Sequence, residues 1–285
     1  MNTFGGNWTE NKIEILVEYA KAYLTIMNVH ATQYGWKLMY FDGFAGSGLI
    51  VQGKDENRKE IVGAARRIIE IEEPRPFDEY YFVEMNDGNF KDLEQNTKLA
   101  FPTKAIHPVK EDCNKKLKDL ADFLLTPKGK SYKILAYIDP CGMQLQWEAI
   151  ERLKGLSVDV WILVPTGMGV NRLLKNDGNI SEAWLQKLEL FLGMDGESIK
   201  AYFYKEQQVL TLFGTETVTN KEEKAIKKSS ELYRTRLSTV FNFVSETYVL
   251  KTASNVTLFH FLMASNNPNA VKIANGIIKK YNATT

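Results

Sequence analysis

Between residues 37 and 165, short apolar segments of strand length alternate with segments in which apolar residues recur at helical spacing. Most of the short segments are continuously apolar, as in 133–138 (KILAYI), which is typical of strands buried on both faces. This alternation predicts a parallel, doubly wound α/β sheet with helices on both faces. The five strands predicted in this part of the chain are 38–41, 79–84, 104–108, 133–138 and 158–164.

The remainder of the chain departs from this alternation. Residues 172–241 are more charged, and Trp184, Leu188 and Phe191 share one apolar helical face, so we expect a helical insertion there. Strand character returns at 247–251 and 256–264, and a final helix is predicted over 269–280. We therefore expect one domain spanning residues 1–285 that carries the insertion 172–241 within it.

The composition argues against a disordered chain and against a fold held together by metal ions or disulfide bonds. It excludes little else. The chain has 285 residues, 44% of them hydrophobic, which suffices for a large core. Lys and Arg total 36 against 35 Asp and Glu, so nucleic acid is left open as a partner but is not indicated by net charge. Cys113, Cys141, His30, His107 and His260 show no metal-ligand spacing, so no metal is expected. With no apolar run long enough to span a membrane and no secretory signal, we expect a soluble cytoplasmic protein.

The segment 37–48, KLMYFDGFAGSG, is the most informative motif. An apolar strand brings Asp42 to its end, and Gly43, Gly46 and Gly48 then let the backbone turn sharply and approach a ligand. No lysine follows the glycines, which excludes a phosphate-binding P-loop. The motif predicts a site for a small charged cofactor, with an ordinary glycine-rich turn as the alternative.

Acidic residues recur where the first four predicted strands end: Asp42, Glu84, Asp112 and Asp139. The carboxyl ends of parallel strands lie on one edge of the sheet, where such folds bind ligands. Four acids there suggest a cationic, polyhydroxylated ligand, with Glu84 placed to accept hydrogen bonds from ribose hydroxyls. The alternative is that Glu84 and Asp112 are helix caps or solvated acids. Glu84 follows the glycines at a longer interval than in simple dinucleotide folds, which an insertion at 49–59 would explain.

An ordered set of motifs resembles the three-Cys-motif partner (TcmP) family and, more broadly, class I S-adenosylmethionine-dependent methyltransferases that methylate amino groups. The motifs comprise Trp8, Lys12, DGFAGSG (42–48), FVE (82–84), IDPCG (138–142), Arg172 and LFHFLMASNNP (258–268). The resemblance implies a Rossmann-like class I methyltransferase fold with an antiparallel C-terminal strand, and S-adenosylmethionine as the cofactor. It also implies a partner protein.

The resemblance assigns cofactor-binding roles to seven residues. Asp42, Gly46 and Gly48, with Gly43 and Phe44 in the same loop, would hold the methionine part. Glu84 would hold the ribose, and Asp112 would hold the adenine amino group.

The segment Asp139-Pro140-Cys141-Gly142 aligns with the substrate motif of amino-methyltransferases, an acidic or amide residue followed by two prolines and an aromatic residue. In that motif the first residue and a backbone carbonyl accept hydrogen bonds from the target amine, and the aromatic ring stacks on the base. Asp139 and Pro140 match and are the implied catalytic residues. Cys141 departs from the motif, and Trp147 is either a substitute for the missing aromatic ring or a core residue.

Three functions follow from these residues. The first is methyl transfer from S-adenosylmethionine to an amino group of a nucleic acid base or of a partner protein. The second is a catalytically altered, methyltransferase-like binding module that acts with a partner protein. The third is cytosine-5 methylation with Cys141 as a thiolate nucleophile. The alternative for this residue is that Cys141 is inert. Against the third, residues 163–166 read LVPT and contain no Glu-Asn-Val-like element after the fifth strand.

Overall fold

A computed structural model describes residues 7–52, 59–211 and 214–283. Eight of the strands in these residues form one sheet, and the other four form two separate hairpins. In chain order the strands are β1 (Lys37–Asp42), β2 (Leu49–Gln52), β3 (Lys59–Val62), β4 (Glu79–Val83), β5 (Ile106–Val109), β6 (Tyr132–Ile138), β7 (Val158–Val164), β8 (Tyr204–Thr211), β9 (Gly214–Lys221), β10 (Phe243–Val244), β11 (Tyr248–Lys251) and β12 (Thr257–Ser265).

The main sheet has the order β10-β12-β7-β6-β1-β4-β5, with β11 also paired to β12. Strands β5, β4, β1, β6 and β7 are parallel, and β12 runs antiparallel to β7. The chain moves from β1 to β4 and β5 on one side and then returns to β6 on the other. The order therefore reverses between β1 and β6, which is where open α/β sheets form a crevice at the carboxyl ends of their strands.

Helices cover both faces of this sheet, as alternation along the sequence predicts. They are α1 (Asn7–Tyr34), α2 (Ala64–Ile69), α3 (Asp87–Glu94), α4 (Cys113–Leu125), α5 (Trp147–Glu151), α6 (Asn171–Leu173), α7 (Glu182–Leu192), α8 (Gly196–Phe203), α9 (Ala225–Val240) and α10 (Pro268–Asn282). Successive β1 residues point to opposite faces, so Leu38 and Tyr40 pack with α1, α2 and α10, while Met39 and Phe41 pack with α4 and α5. The predicted Rossmann-like α/β fold, a mostly parallel sheet with helices on both faces and an antiparallel strand near the C-terminus, is confirmed.

The insertion 172–241 is mostly helical, as predicted, but it also contains the β8–β9 hairpin, which the sequence analysis did not predict. The segment packs Leu188, Phe191 and Tyr233 into the same hydrophobic cluster as the sheet residues Ile134 and Val160. This shared core supports our proposal that the whole chain is one domain with the insertion built into it.

The stretch after the glycine loop also differs from the prediction. Apolar residues recur at helical spacing over 61–71 and predict a helix there, but β2 and β3 form an antiparallel hairpin, and α2 begins only at Ala64. Residues 49–52 and 59 of the predicted insertion belong to this hairpin, and its residues 53–58 lie outside the described residues. Thr9 precedes the apolar helical pattern of α1 and is a residue type that predicts a helix cap, but it lies inside that helix, which begins at Asn7.

Candidate functional site

A cavity of about 620 Å³ opens at the carboxyl ends of β1 and β6, where the strand order reverses. This volume lies in the range of small-molecule binding sites. Its walls come from one turn of α1, the glycine loop, the end of β6 and the elements beyond β7. The lining residues on which the site depends are Thr9, Lys12, Asp42, Phe44, Gly46, Gly48, Tyr137, Asp139, Pro140, Cys141, Met168, Arg172 and Phe259.

The glycine loop is held to the strand ends by backbone hydrogen bonds. The amide of Gly43 donates to the carbonyl of Tyr137 (2.9 Å), and the amide of Ala45 donates to the carbonyl of Val83 (3.0 Å). Gly46 has a φ of 62°, and a Cβ added there would meet no atom within 4 Å. Because Gly46 also lines the cavity, its backbone presents an unobstructed surface on which a ligand can lie.

Asp42 ends β1 and is almost completely buried, with 1% of its surface exposed. The amide of Phe44 donates to its Oδ1 (3.1 Å), and the Tyr40 hydroxyl donates to its Oδ2 at 3.4 Å. Burial raises the pKa of this carboxyl to about 8, because removing the charged form from water outweighs the two hydrogen bonds. Near pH 7 the side chain is therefore mostly protonated.

Asp139 follows β6 and is bonded to two side chains, both through Oδ2. One is the ammonium group of Lys12, which forms an ion pair with it, and the other is the hydroxyl of Tyr137 (2.9 Å). Lys12 extends from α1 and is buried, so the N-terminal helix supplies the cation at this end of the cavity. The sequence analysis gave Asp139 a role but gave none to Lys12 or Tyr137.

Glu84 and Asp112 lie beside the glycine loop but are not among the described residues that line the cavity. Glu84 accepts from the amide of Gly46 (3.0 Å) and from the amide of Asn86 (2.7 Å). Asp112 caps α4 by accepting from the amides of Asn114 (2.7 Å) and Lys115 (3.2 Å). The helix-cap alternative therefore describes Asp112 well, and Glu84 holds the loop in place.

Gly43 is also turned away from the cavity. A Cβ at this position would lie 2.5 Å from Sγ of Cys113 and 2.9 Å from Cδ1 of Ile138. Glycine is thus required here for close packing between the loop and α4. Of the residues to which the resemblance assigned roles, the structure brings Asp42, Phe44, Gly46, Gly48, Asp139 and Pro140 to one cavity.

The turn after Asp139 is tight. The amide of Gly142 donates to the carbonyl of Pro140 (2.8 Å), and Gly142 has a φ of 97°. Cys141 is exposed, and its thiol pKa is raised by partial burial and by the neighbouring Asp139. Cys113 is a buried free thiol. A raised pKa leaves Cys141 in the thiol form, which is the less nucleophilic one.

Trp147 does not replace the missing aromatic ring of the substrate motif. It is buried on α5, packs edge-on against Tyr233 and lies under the guanidinium group of Arg236. His260 is also structural: it hydrogen-bonds Thr166 (2.7 Å), and burial lowers its pKa to about 4. In the described ranges no group of three or more His, Cys, Asp or Glu side chains could hold a metal. No helix there is long and apolar enough to cross a membrane.

Four cavity residues had no assigned role in the sequence analysis or were only weak candidates: Lys12, Met168, Arg172 and Phe259. Lys12 had a readable signal, because a lysine interrupts the apolar face of α1 formed by Leu16, Tyr19 and Tyr23. Phe259 lies on β12, far along the chain, and only the antiparallel pairing of β12 with β7 brings it to the site.

No family model matches the sequence, and no curated protein matches it. Three solved structures resemble it in fold. A protein of Legionella pneumophila str. Philadelphia 1 is 15% identical, over 90% of this chain and 97% of that one, with a TM-score of 0.39. Trm1 from Pyrococcus horikoshii, solved with S-adenosyl-L-methionine, is 12% identical, over 93% of this chain and 65% of that one, with a TM-score of 0.37. An S-adenosylmethionine-dependent methyltransferase from Clostridium acetobutylicum ATCC 824 is 9% identical, over 88% of this chain and 92% of that one, with a TM-score of 0.35.

Proposed function

We propose that this protein is an S-adenosylmethionine-dependent methyltransferase of the TcmP type, and that it methylates an amino group of a nucleic acid base or of a partner protein. The observation that supports this most is the single cavity at the switch point of the sheet. One wall of that cavity is the glycine loop, and the other carries Asp139 and Pro140. A cofactor side and a substrate side therefore face the same space.

The residues present fit the proposed cofactor. The glycine loop offers open backbone at Gly46, and the cavity is large enough for a nucleoside of this size. The buried carboxyl of Asp42 lies at the same wall, where a positively charged ligand would be stabilised. Glu84 and Asp112 are not among the described residues that line the cavity, but a carboxylate has about four acceptor sites, so the ribose and adenine contacts that we propose for them are compatible with the backbone bonds they already make.

When bound, S-adenosylmethionine supplies an activated methyl group with a good leaving group, so this chain mainly has to position the acceptor. Asp139 would accept a hydrogen bond from the acceptor N–H and so fix the direction of the nitrogen lone pair. The carbonyl of Pro140 has a second lone pair besides the one bonded to Gly142 and would accept another N–H. Lys12 and Tyr137 hold the Asp139 carboxylate in place.

A methyl-transfer assay tests the catalytic assignment. Tritium-labelled S-adenosylmethionine would be incubated with separate RNA, DNA and protein fractions, using wild type, Asp139→Ala and the exposed control Asp122→Ala. We expect wild type and the control to label one fraction and Asp139→Ala to lose at least tenfold of that rate, because a lost positioning contact in the transition state costs about 1.4 kcal/mol or more. Unchanged labelling by Asp139→Ala would contradict the assignment.

The second candidate, a binding module that acts with a partner protein, is favoured by one feature. Cys141 and Gly142 stand where the substrate motif of amino-methyltransferases carries its second proline and its aromatic ring, and Trp147 is buried in the core. On this proposal the protein binds S-adenosylmethionine but labels no fraction, even when all are offered together.

The cytosine-5 alternative has less support, because the raised pKa of the Cys141 thiol works against a thiolate nucleophile. A DNA or RNA probe that contains 5-fluorocytosine would trap a covalent adduct if that mechanism operated. We expect no adduct in wild type or in Cys141→Ser.

A further inference from the structure

Three ionisable side chains lie on the buried side of the cavity. Asp42 and Asp139 end neighbouring strands, and Lys12 reaches them from α1. Arg172, the other basic residue in the described lining, is exposed. The charge of each of these groups determines how strongly the cavity binds a charged ligand.

The two carboxyl groups have different partners. Asp139 is in an ion pair with Lys12, so its charge is compensated by direct contact. Asp42 is hydrogen-bonded by two neutral groups, the amide of Phe44 and the hydroxyl of Tyr40. Asp42 is also the more deeply buried of the two. Ionisation of Asp42 therefore places a negative charge in a site whose nearest ammonium group is already paired.

We propose that Asp42 gives the site its preference for the positively charged S-adenosylmethionine over its neutral product, S-adenosylhomocysteine. This inference rests on the proposed function. The two ligands share the same nucleoside and the same amino acid part, and they differ in the methylated sulfonium. Only the first brings an extra positive charge that an ionised Asp42 can compensate in a poorly solvated cavity.

The protonation state of Asp42 makes this preference measurable. Burial raises the pKa of the carboxyl to about 8, so the ligand-free protein carries a proton there near pH 7. Binding a cation would favour the carboxylate, and the proton would pass to the buffer. S-adenosylmethionine should thus bind with the release of up to one proton, whereas S-adenosylhomocysteine, which shares the α-ammonium group but lacks the sulfonium charge, should release fewer from this group.

The other titratable groups around Asp42 are Lys12 from α1, Tyr137 and Asp139 from β6, Cys113 from α4, and Tyr40 on its own strand. Burial raises the pKa of both tyrosines and of Cys113 well above their usual values, so these three stay neutral between pH 5.5 and 7.5. Lys12 and Asp139 form the ion pair described above and face both ligands alike.

Titration calorimetry of both ligands between about pH 5.5 and 7.5, in pairs of buffers with different ionisation enthalpies, tests the proposal. For wild type we expect the affinity for S-adenosylmethionine to rise up to tenfold per pH unit, with proton release, while the affinity for S-adenosylhomocysteine changes much less. Asp42→Asn keeps an acceptor for the Phe44 amide but cannot ionise. In that variant we expect the two ligands to show the same pH dependence.

Three outcomes would overturn the proposal. If S-adenosylmethionine binds wild type without proton release and with the same pH dependence as S-adenosylhomocysteine, Asp42 does not sense the charge and the proposed function is unaffected. The same holds if Asp42→Asn retains the difference between the ligands. If folded wild type binds neither ligand, the proposed function itself is wrong and this inference falls with it.

Discussion

Lys12 shows how a single side chain can join two parts of the molecule. It extends from the first helix, its side chain is 9% exposed, and its ammonium group is paired with Asp139 at the end of β6. Replacing Lys12 by Met would leave the Asp139 charge partly buried beside an apolar side chain. The ion pair therefore contributes to stability as well as to the proposed site.

We expect Lys12→Met to lower the free energy of unfolding by about 1–3 kcal/mol, less than for a fully buried pair because Asp139 is partly exposed. Adding Asp139→Asn should recover part of the loss, since the unpaired charge is then gone. Urea denaturation of the single and double variants measures this coupling, with Lys115→Met, which removes an exposed helical pair, as the control. Additive losses in the double variant would show that the two side chains do not interact.

The raised pKa of Asp42 makes the free energy of unfolding depend on pH. Its pKa is raised to about 8 in the folded chain, so the native state binds a proton that the unfolded chain releases near pH 4. The stabilisation is full below about pH 4 and is lost as the pH rises through 8. Relative to Asp42→Asn, wild type should lose up to about 1.4 kcal/mol per pH unit between pH 5 and 8. Urea denaturation of both proteins across this pH range measures the difference. The prediction would be contradicted if the free energies of unfolding of wild type and Asp42→Asn changed in parallel with pH.

At the scale of elements, the parallel strands could be predicted because most of them are continuous apolar runs that end near a polar residue. The β2–β3 and β8–β9 hairpins could not. Residues 204–211, YKEQQVLT, have the composition of a solvated helix as much as of a strand. They are strands because they pair with 214–221, and that pairing is not visible in either segment alone.

Site residues that depend on pairing between distant segments were equally hidden from sequence reasoning. Asp42, Gly46, Gly48 and Asp139 could be placed from strand ends and glycine spacing. Phe259 could not, because it reaches the cavity only through the pairing of β12 with β7.

The end of α7 offers a test of packing between elements. Gly193 terminates this helix with a φ of 63°, and a Cβ there would lie 2.2 Å from Cδ1 of Trp147 on α5. Gly35, which follows α1 with a φ of 66°, has nothing within 4 Å of that position. We expect Gly35→Ala to cost about 1 kcal/mol for the backbone conformation alone, and Gly193→Ala about 2–4 kcal/mol because it also displaces the tryptophan. Equal losses in urea denaturation would show that Trp147 moves aside freely.

At the scale of the whole molecule, the insertion and the sheet share one hydrophobic cluster. Phe191 on α7 and Tyr233 on α9 stack at 5.0 Å, and Trp147 on α5 packs against Tyr233. We therefore expect the insertion to unfold together with the sheet. Thermal unfolding followed by tryptophan fluorescence and by far-ultraviolet circular dichroism should give one coincident transition. Two separated transitions would contradict the proposal of a single domain.

The most direct test of the central claim is calorimetric titration of S-adenosylmethionine into the wild-type protein, Gly46→Ala and Gly35→Ala. Both glycines have a positive φ and open space at the Cβ position, but only Gly46 lines the cavity. We predict that wild type and Gly35→Ala bind one equivalent of S-adenosylmethionine and that Gly46→Ala loses at least tenfold in affinity while remaining folded. Absence of binding to folded wild type, or equal affinities of wild type and both variants, would contradict the assignment of this cavity as the cofactor site.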